Sequence, residues 1–145
     1  MTIAAIIKHV KFTFGTDKVF VTGSTVYGPL AKMEPETVEE HDVDICVLMP
    51  DGEEVRVENI LKALGASFPE HFGVYEECVS AYISRDGVSI NLILLPPKYY
   101  QAWIVATGLL WSHWATNHNI WMDKEARVAA FRAAKEAFNA GRYGS

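Results

Sequence analysis

The sequence predicts a single α/β (α+β) domain, residues 1–145, in which flanking helices cover a small mixed sheet. Three observations indicate this class: helix-spaced and strand-like apolar segments alternate along the chain, one segment has the pattern of a β-hairpin, and 50% of the residues are hydrophobic. A chain of this length buries roughly two thirds of the surface that it exposes when unfolded. It is therefore long enough for one ordered domain, and the sequence contains no internal repeat.

The first half of the chain alternates between helix and strand patterns. Thr2 is a suitable N-cap and Gly15 a suitable end for a helix whose apolar stripe is Ile3, Ile6, Ile7, Val10 and Phe14. Residues 18–22 predict a strand, followed by a Gly23-Ser24 turn and a helical turn over 25–31. Residues 32–41 predict a loop, and the β-branched run 43–49 predicts the next strand.

The second half predicts a helix, a hairpin and two further helices. The first helix ends at Gly65, and its stripe is Val55, Val57, Ile60, Leu61 and Leu64. Asp86-Gly87 suits a type I′ turn, which pairs Ser84 with Ser89, Tyr82 with Asn91 and Ser80 with Ile93. One face of this C-terminal hairpin is therefore polar. An aromatic-rich helix follows Pro97, and a last helix capped by Asp123 has a buried stripe of Val128, Phe131 and Phe138. We expect the helices chiefly on one side of the sheet.

Charge and composition limit the class of partner. The net charge is −5, and the first 97 residues carry fifteen acidic against seven basic side chains, so nucleic acid is not favoured as a partner. No segment has the length of a membrane span, and no signal peptide is recognisable at the N-terminus. Cys46 and Cys78 both lie in strand-like runs, which is typical of buried thiols in a reducing compartment. We expect a soluble, cytoplasmic protein without a membrane partner.

Asp42 and Asp44 occupy the start of an otherwise apolar strand. Residues two apart on a strand face the same side, so the two carboxylates lie close together and repel each other unless a cation lies between them. Oxygen ligands of this kind suit Mg²⁺. Gly23 and Ser24 add backbone N–H groups at a turn that a phosphate can approach closely. The pattern predicts a site for a metal ion and a nucleotide.

These residues carry a family resemblance. "VTGSTVYGPL" followed by "DVDICVL" resembles the signature of the polymerase-β-type nucleotidyltransferase superfamily, over about residues 19–49. The resemblance implies that Asp42 and Asp44 are catalytic and hold Mg²⁺, that Gly23 and Ser24 bind the triphosphate of an NTP, and that an NMP group moves to an acceptor hydroxyl. "AWIVATGLLW" and "DKEARVAAF" are similar to the tail of small phage-encoded members, which implies the host cytoplasm.

One position departs from the family pattern. The family's third carboxylate, on a later strand, corresponds to Asn91, whose amide can ligate Mg²⁺ but cannot accept a proton. Asn91 and Tyr82, on the polar face of the hairpin, are further candidates for nucleotide binding. Two functions stay open: a nucleotidyltransferase whose acceptor is small or is brought by a protein partner, and a catalytically silent protein that binds a nucleotide or a host protein. In the alternative without a site, Asp42 is a strand-entry residue and Asp44 a solvent-facing residue of an edge strand.

Overall fold

The computed structural model describes residues 3–27, 43–67, 78–85, 87–116 and 124–141. Within them the chain forms five helices and four strands in an α+β arrangement. In chain order these are α1 (Ile3–Phe14), β1 (Val19–Thr22), α2 (Ser24–Tyr27), β2 (Val43–Leu48), α3 (Glu54–Ala63), β3 (Val79–Arg85), β4 (Val88–Leu95), α4 (Pro97–Thr116) and α5 (Lys124–Asn139). None of the helices in this part of the chain has the length and apolar character that crossing a bilayer requires.

The four strands form one mixed sheet in the order β1-β2-β4-β3. The central strands β2 and β4 are parallel, whereas β1 pairs with β2 and β3 pairs with β4 in the antiparallel sense. The connection from β2 to β4 passes through α3 and β3, which gives the chain the length that a parallel crossover needs. The prediction of a small mixed sheet is confirmed.

The hairpin of β3 and β4 has the predicted register. Tyr82 pairs with Asn91, Ser84 with Ser89 and Ser80 with Ile93. Gly87 has a φ of +80°, as a turn of this kind requires. Asp86, the other predicted turn residue, lies outside the described residues.

Both faces of the sheet are covered by helices, so the prediction of helices chiefly on one side was wrong. On one face, α1 and α3 bury their apolar stripes against alternate residues of the strands, among them Ile45 and Leu92. On the other face, α4 and α5 contribute Trp103 and Phe131 to a second cluster that includes Cys46. The physical reason is that β2 and β4 have apolar residues at consecutive positions, and each of their faces therefore needs a cover.

Most helix predictions hold, with corrections at particular residues. Helix α1 ends at Phe14 and Gly15 has a φ of +65°. Val55 was wrongly placed on the buried stripe of α3: it is 70% exposed, while Val57 and Leu61 are buried. On α5, Phe131 is fully buried and Val128 and Phe138 are partly exposed. The predicted caps Thr2 and Asp123, the loop 32–41 and the break near 117–119 lie outside the described residues.

Arg56 on α3 joins that helix to the end of α1. Its Nη2 donates a hydrogen bond to the backbone carbonyl oxygen of Phe14, the last residue of α1. The carbonyls of a final helical turn have no partner within their helix and carry partial negative charge, so a guanidinium there satisfies one of them. The contact fixes α1 relative to α3 on their shared face of the sheet.

Replacing Arg56 by alanine removes this contact. We expect Arg56→Ala to lower the free energy of unfolding by about 1 kcal/mol, because a half-exposed charged hydrogen bond is worth less than a buried one. Urea denaturation measures the change. The matched control is Lys62→Ala on the same helix, which removes only an exposed pair with Glu58 and should change stability by less than about 0.5 kcal/mol. Equal losses in both variants would contradict the capping role.

Candidate functional site

Four side chains form a row across the sheet, one on each strand. Thr22 of β1 pairs with Asp44 of β2, Asp44 with Asn91 of β4, and Asn91 with Tyr82 of β3. Directly opposed residues project from the same face of a sheet, so all four face the side that α4 covers. The row therefore brings together three residues that the sequence analysis selected, together with one that it did not.

Asp44 and Asn91 are joined by a side-chain hydrogen bond. The Nδ2 of Asn91 donates to Oδ1 of Asp44 at 3.1 Å, and both residues are partly buried. The Oδ1 of Asn91 is buried and has no hydrogen-bond partner within the part of the chain that the structure describes. A buried acceptor without a donor costs roughly 1–3 kcal/mol. Binding of a cation or a hydrogen-bond donor to this oxygen would therefore be favourable.

Gly23 brings the backbone of the turn directly against Asp44. Its φ is +77°, and a Cβ built on it would lie 2.2 Å from Oδ2 of Asp44. Only a residue without a side chain allows this approach. The turn is closed locally by a hydrogen bond from the backbone N–H of Val26 to the carbonyl oxygen of Gly23 at 2.9 Å. The Thr25 hydroxyl also donates a hydrogen bond to the carbonyl oxygen of Thr22, at 3.2 Å.

The remaining predicted site residues are located as follows. Ser24 begins α2 directly after Gly23, although its side chain is outside the described part, as is the whole of Asp42. Tyr82 lies beside Asn91 and is partly buried, and its backbone N–H and carbonyl both pair with Ser67. The alternative that Asp44 is a solvent-facing residue on an edge strand was wrong, since β2 lies between β1 and β4.

A contact that the sequence analysis missed links the row to α4. The hydroxyls of Thr22 and Thr107 form a hydrogen bond of 2.7 Å, and the two residues are 2% and 7% exposed. The residues are 85 positions apart in the chain, and although each lies in a segment with a family resemblance, nothing in either segment indicates that the two side chains meet. Only the packing of α4 on the sheet reveals the pair.

Cys46 lies two residues beyond Asp44 on the same face of β2. Burial raises the pKa of its thiol well above the ordinary value, and the nearby charge of Asp44 and the thiol of Cys78 raise it further. Cys46 is therefore a neutral thiol in the core at physiological pH, and it supplies no thiolate ligand to the row.

Asp44 and Asn91 fit a Mg²⁺ ion as a partial ligand set. The described residues contain no cluster of three or more His, Cys, Asp or Glu side chains suited to a metal. Mg²⁺, however, is commonly held by one or two protein oxygens, with waters and phosphate oxygens completing an octahedron. Rotation of the Asn91 amide by half a turn exchanges Nδ2 and Oδ1, and adjacent ligands of such an octahedron lie about 3 Å apart. The separation of 3.1 Å between Asn91 Nδ2 and Asp44 Oδ1 is of that size.

A separate cavity of about 650 Å³ lies between β1 and α4. Its lining includes Phe20, Leu48, Tyr100, Ile104 and Thr107, whereas Asp44, Asn91 and Tyr82 do not border it. Burial, followed by the effect of Cys46, raises the pKa of the Tyr100 phenol. The cavity is thus separate from the polar row, although Thr107 borders it, and its wall is mainly apolar.

No protein-family model matches the chain, and no curated protein does so either.

The close contact between Gly23 and Asp44 is testable by substitution. We expect Gly23→Ala to lower the free energy of unfolding by more than about 2 kcal/mol, because it adds a clash with Oδ2 to the cost of a positive φ. Gly65→Ala is the matched control: Gly65 has a φ of +68° with no atom near the added Cβ, so only the backbone cost of about 1 kcal/mol applies. Urea unfolding compares the two.

A double variant isolates the clash itself. Asp44→Ala removes the carboxylate, so Gly23→Ala should cost only about as much in that background as Gly65→Ala does. If Gly23→Ala costs the same with and without the Asp44 carboxylate, the turn does not lie against it.

Proposed function

We propose that this protein is a Mg²⁺-dependent nucleotidyltransferase that moves an NMP group from an NTP to an acceptor hydroxyl, breaking the bond between the α- and β-phosphates and releasing pyrophosphate. The observation that carries the proposal is the contact of the Gly23 backbone with the Asp44 carboxylate, with the Asn91 amide 3.1 Å from the same carboxylate. A backbone turn that can receive phosphate thereby lies beside oxygens that can hold a divalent cation. The resemblance of the Gly-Ser and Asp-x-Asp segments to the polymerase-β-type superfamily supports the same reading.

Different residues would hold the metal ion and the phosphates. Asp44 and Asn91 would hold Mg²⁺ from the sheet, together with Asp42, whose part comes from the sequence motif. When bound, the ion supplies positive charge that neutralises phosphate oxygens during transfer. The N–H groups that follow Gly23 would bind and orient the phosphates at the start of α2, and the absence of a side chain at Gly23 lets the Asp44 carboxylate lie against the same turn.

The acceptor hydroxyl must lose its proton during transfer, and Asn91 cannot take it. Asp42 is the remaining carboxylate of the motif besides Asp44, so we assign this proton to Asp42. The acidic charge balance disfavours nucleic acid as the acceptor. We propose an acceptor that is small or that a protein partner brings.

Asp44→Asn is the direct test of the proposal. The protein is incubated with Mg²⁺ and labelled NTPs in host-cell extract, and transfer of label is measured. We expect Asp44→Asn to lower transfer by at least about a hundredfold, because a lost metal-site charge costs several kcal/mol of transition-state stabilisation. Asp51→Asn, at an exposed carboxylate in the turn after β2, is the control and should transfer normally.

The shift in Tm on ligand binding provides a second test of the same site. Mg²⁺ with a non-hydrolysable NTP should raise the Tm of the wild type and of Asp51→Asn but not that of Asp44→Asn. A wild type that shows neither transfer nor a Tm shift with any of the four bases contradicts the proposal.

The second candidate is a silent member that binds nucleotide without transferring it. The hydrogen bond from Asn91 to Asp44 favours it, because it satisfies one carboxylate oxygen without any metal. Asn91→Asp restores a carboxylate at this position and distinguishes the candidates. If Asn91 limits an active enzyme, transfer should rise by about tenfold or more.

The outcome for a silent protein is different. Asn91→Asp should then show no transfer, while Mg²⁺ alone raises its Tm more than it raises that of the wild type, since the ion relieves repulsion between two adjacent carboxylates. Asn91→Ala is the control for the loss of the hydrogen bond without an added charge, and Mg²⁺ should not stabilise it more than the wild type.

A further inference from the structure

We propose that Thr107 on α4 is a positioning residue, which sets the location of the phosphate-binding turn at Gly23-Ser24 through its hydrogen bond to Thr22. The inference rests on the proposed function, because it assumes that this turn receives the phosphates of a nucleotide. It adds a residue from the C-terminal half of the chain that neither the Gly-Ser nor the Asp-x-Asp segment contains.

The hydrogen bond acts at the point where the turn begins. Thr22 is the last residue of β1, it directly precedes Gly23, and its partner across the sheet is Asp44. Its hydroxyl and that of Thr107 are 2.7 Å apart, with both residues almost completely buried. Any movement of Thr22 toward or away from α4 therefore moves the Gly23 backbone relative to the Asp44 carboxylate.

Strand β1 needs a support of this kind. It has four residues and, among the described strands, it pairs with β2 alone. Helix α4 is a firm support because its Trp103 ring contacts Phe131 of α5 edge-on, with 4.8 Å between the ring centroids, in a buried cluster that also holds Cys46 of the sheet. Thr107 is one residue from Ala106 of the same cluster. The bond thus connects the edge strand to the core of the second layer.

The short length of the bond is what determines the position of the turn. Two hydroxyl oxygens approach to 2.7 Å, whereas two methyl groups in contact stay about 3.5–4 Å apart. Valine at both positions keeps the shape of the side chains but separates β1 from α4 by about 1 Å. Hydrogen bonds to phosphate weaken over such a distance, so the phosphates should bind less tightly even when the core is intact.

A purely structural role makes a different prediction. If the pair only satisfies two buried hydroxyls, removing one is costly, but replacing both with apolar groups of the same shape is nearly neutral. In that case the double variant recovers both stability and nucleotide affinity. If Thr107 positions the turn, the double variant recovers stability alone.

The experiment compares Thr22→Val, Thr107→Val, the double variant and Thr107→Ser. Thr107 borders the cavity of about 650 Å³, so the packing around it can adjust to a small separation of β1 from α4 and the variants should fold. Urea denaturation measures stability, and calorimetry measures the Kd of Mg²⁺ with non-hydrolysable triphosphates of the four bases. We expect Thr107→Ser, which keeps the hydroxyl, to bind within about twofold of the wild type. Thr107→Val and the double variant should bind about tenfold more weakly, with the double variant close to wild-type stability.

Two results would overturn the inference: a double variant with wild-type Kd, or a Thr107→Ser variant that binds as weakly as Thr107→Val. A wild type that binds none of the triphosphates would instead refute the proposed function. Amide hydrogen exchange in the ligand-free protein then decides the positioning role by itself. Faster exchange at Val26 in Thr107→Val and in the double variant, but not in Thr107→Ser, supports it; unchanged exchange in all three overturns it.

Discussion

The parallel pairing of β2 with β4 is the constraint on which the rest of this protein depends. It places Asp44 directly beside Asn91 and puts β2 in the interior of the sheet, with β1 on its other side. Because both central strands are apolar at consecutive positions, helices must cover both faces, and the polar row occurs where Asp44 and Asn91 interrupt that apolar pattern. A polar pair in such a position loses hydration. Its hydrogen bonds therefore affect the stability of the fold as well as the binding of a ligand.

The hydrogen bond from Asn91 to Asp44 leaves the Asn91 amide incompletely satisfied. One amide oxygen remains buried without a partner among the described residues, and Gly23 lies against the other carboxylate oxygen. Native proteins seldom keep a buried acceptor unpaired, and a bound water or ion is one of the ways in which such an atom is satisfied. This is the physical link between the packing of the sheet and the proposed nucleotide site. The neutral thiol of Cys46, two residues beyond Asp44 on the same face of β2, adds no competing metal ligand.

Helix α4 covers the sheet and also makes two specific connections, one to the second core cluster and one to the end of β1. Its aromatic residues form the second core cluster, and Thr107 reaches the end of β1 beside the Gly23 turn. The first connection accounts for the stability of the second layer. The second explains how an edge strand of four residues can hold a turn in a fixed relation to a carboxylate on the neighbouring strand.

The sequence by itself determined the local structure. Apolar spacing located α1, α3 and α5, β-branched runs located β1 and β2, and the Asp86-Gly87 pair indicated the register in which Tyr82 faces Asn91. These features are local because helical and strand periodicities, and the φ preference of glycine, act over a few residues. The motif residues Asp44 and Gly23 could be selected for the same reason, since each belongs to a short recognisable segment.

Only the tertiary structure decided which faces the helices cover, that Val55 is exposed, that Asp44 lies in the interior of the sheet, and that Thr107 meets Thr22 across 85 residues. Apolar periodicity says which residues a helix buries but not which face of a sheet receives them. A hydrogen bond between two threonines leaves no pattern in the chain. Such contacts depend on how separate elements pack together, and that arrangement is set by the shape of the whole core.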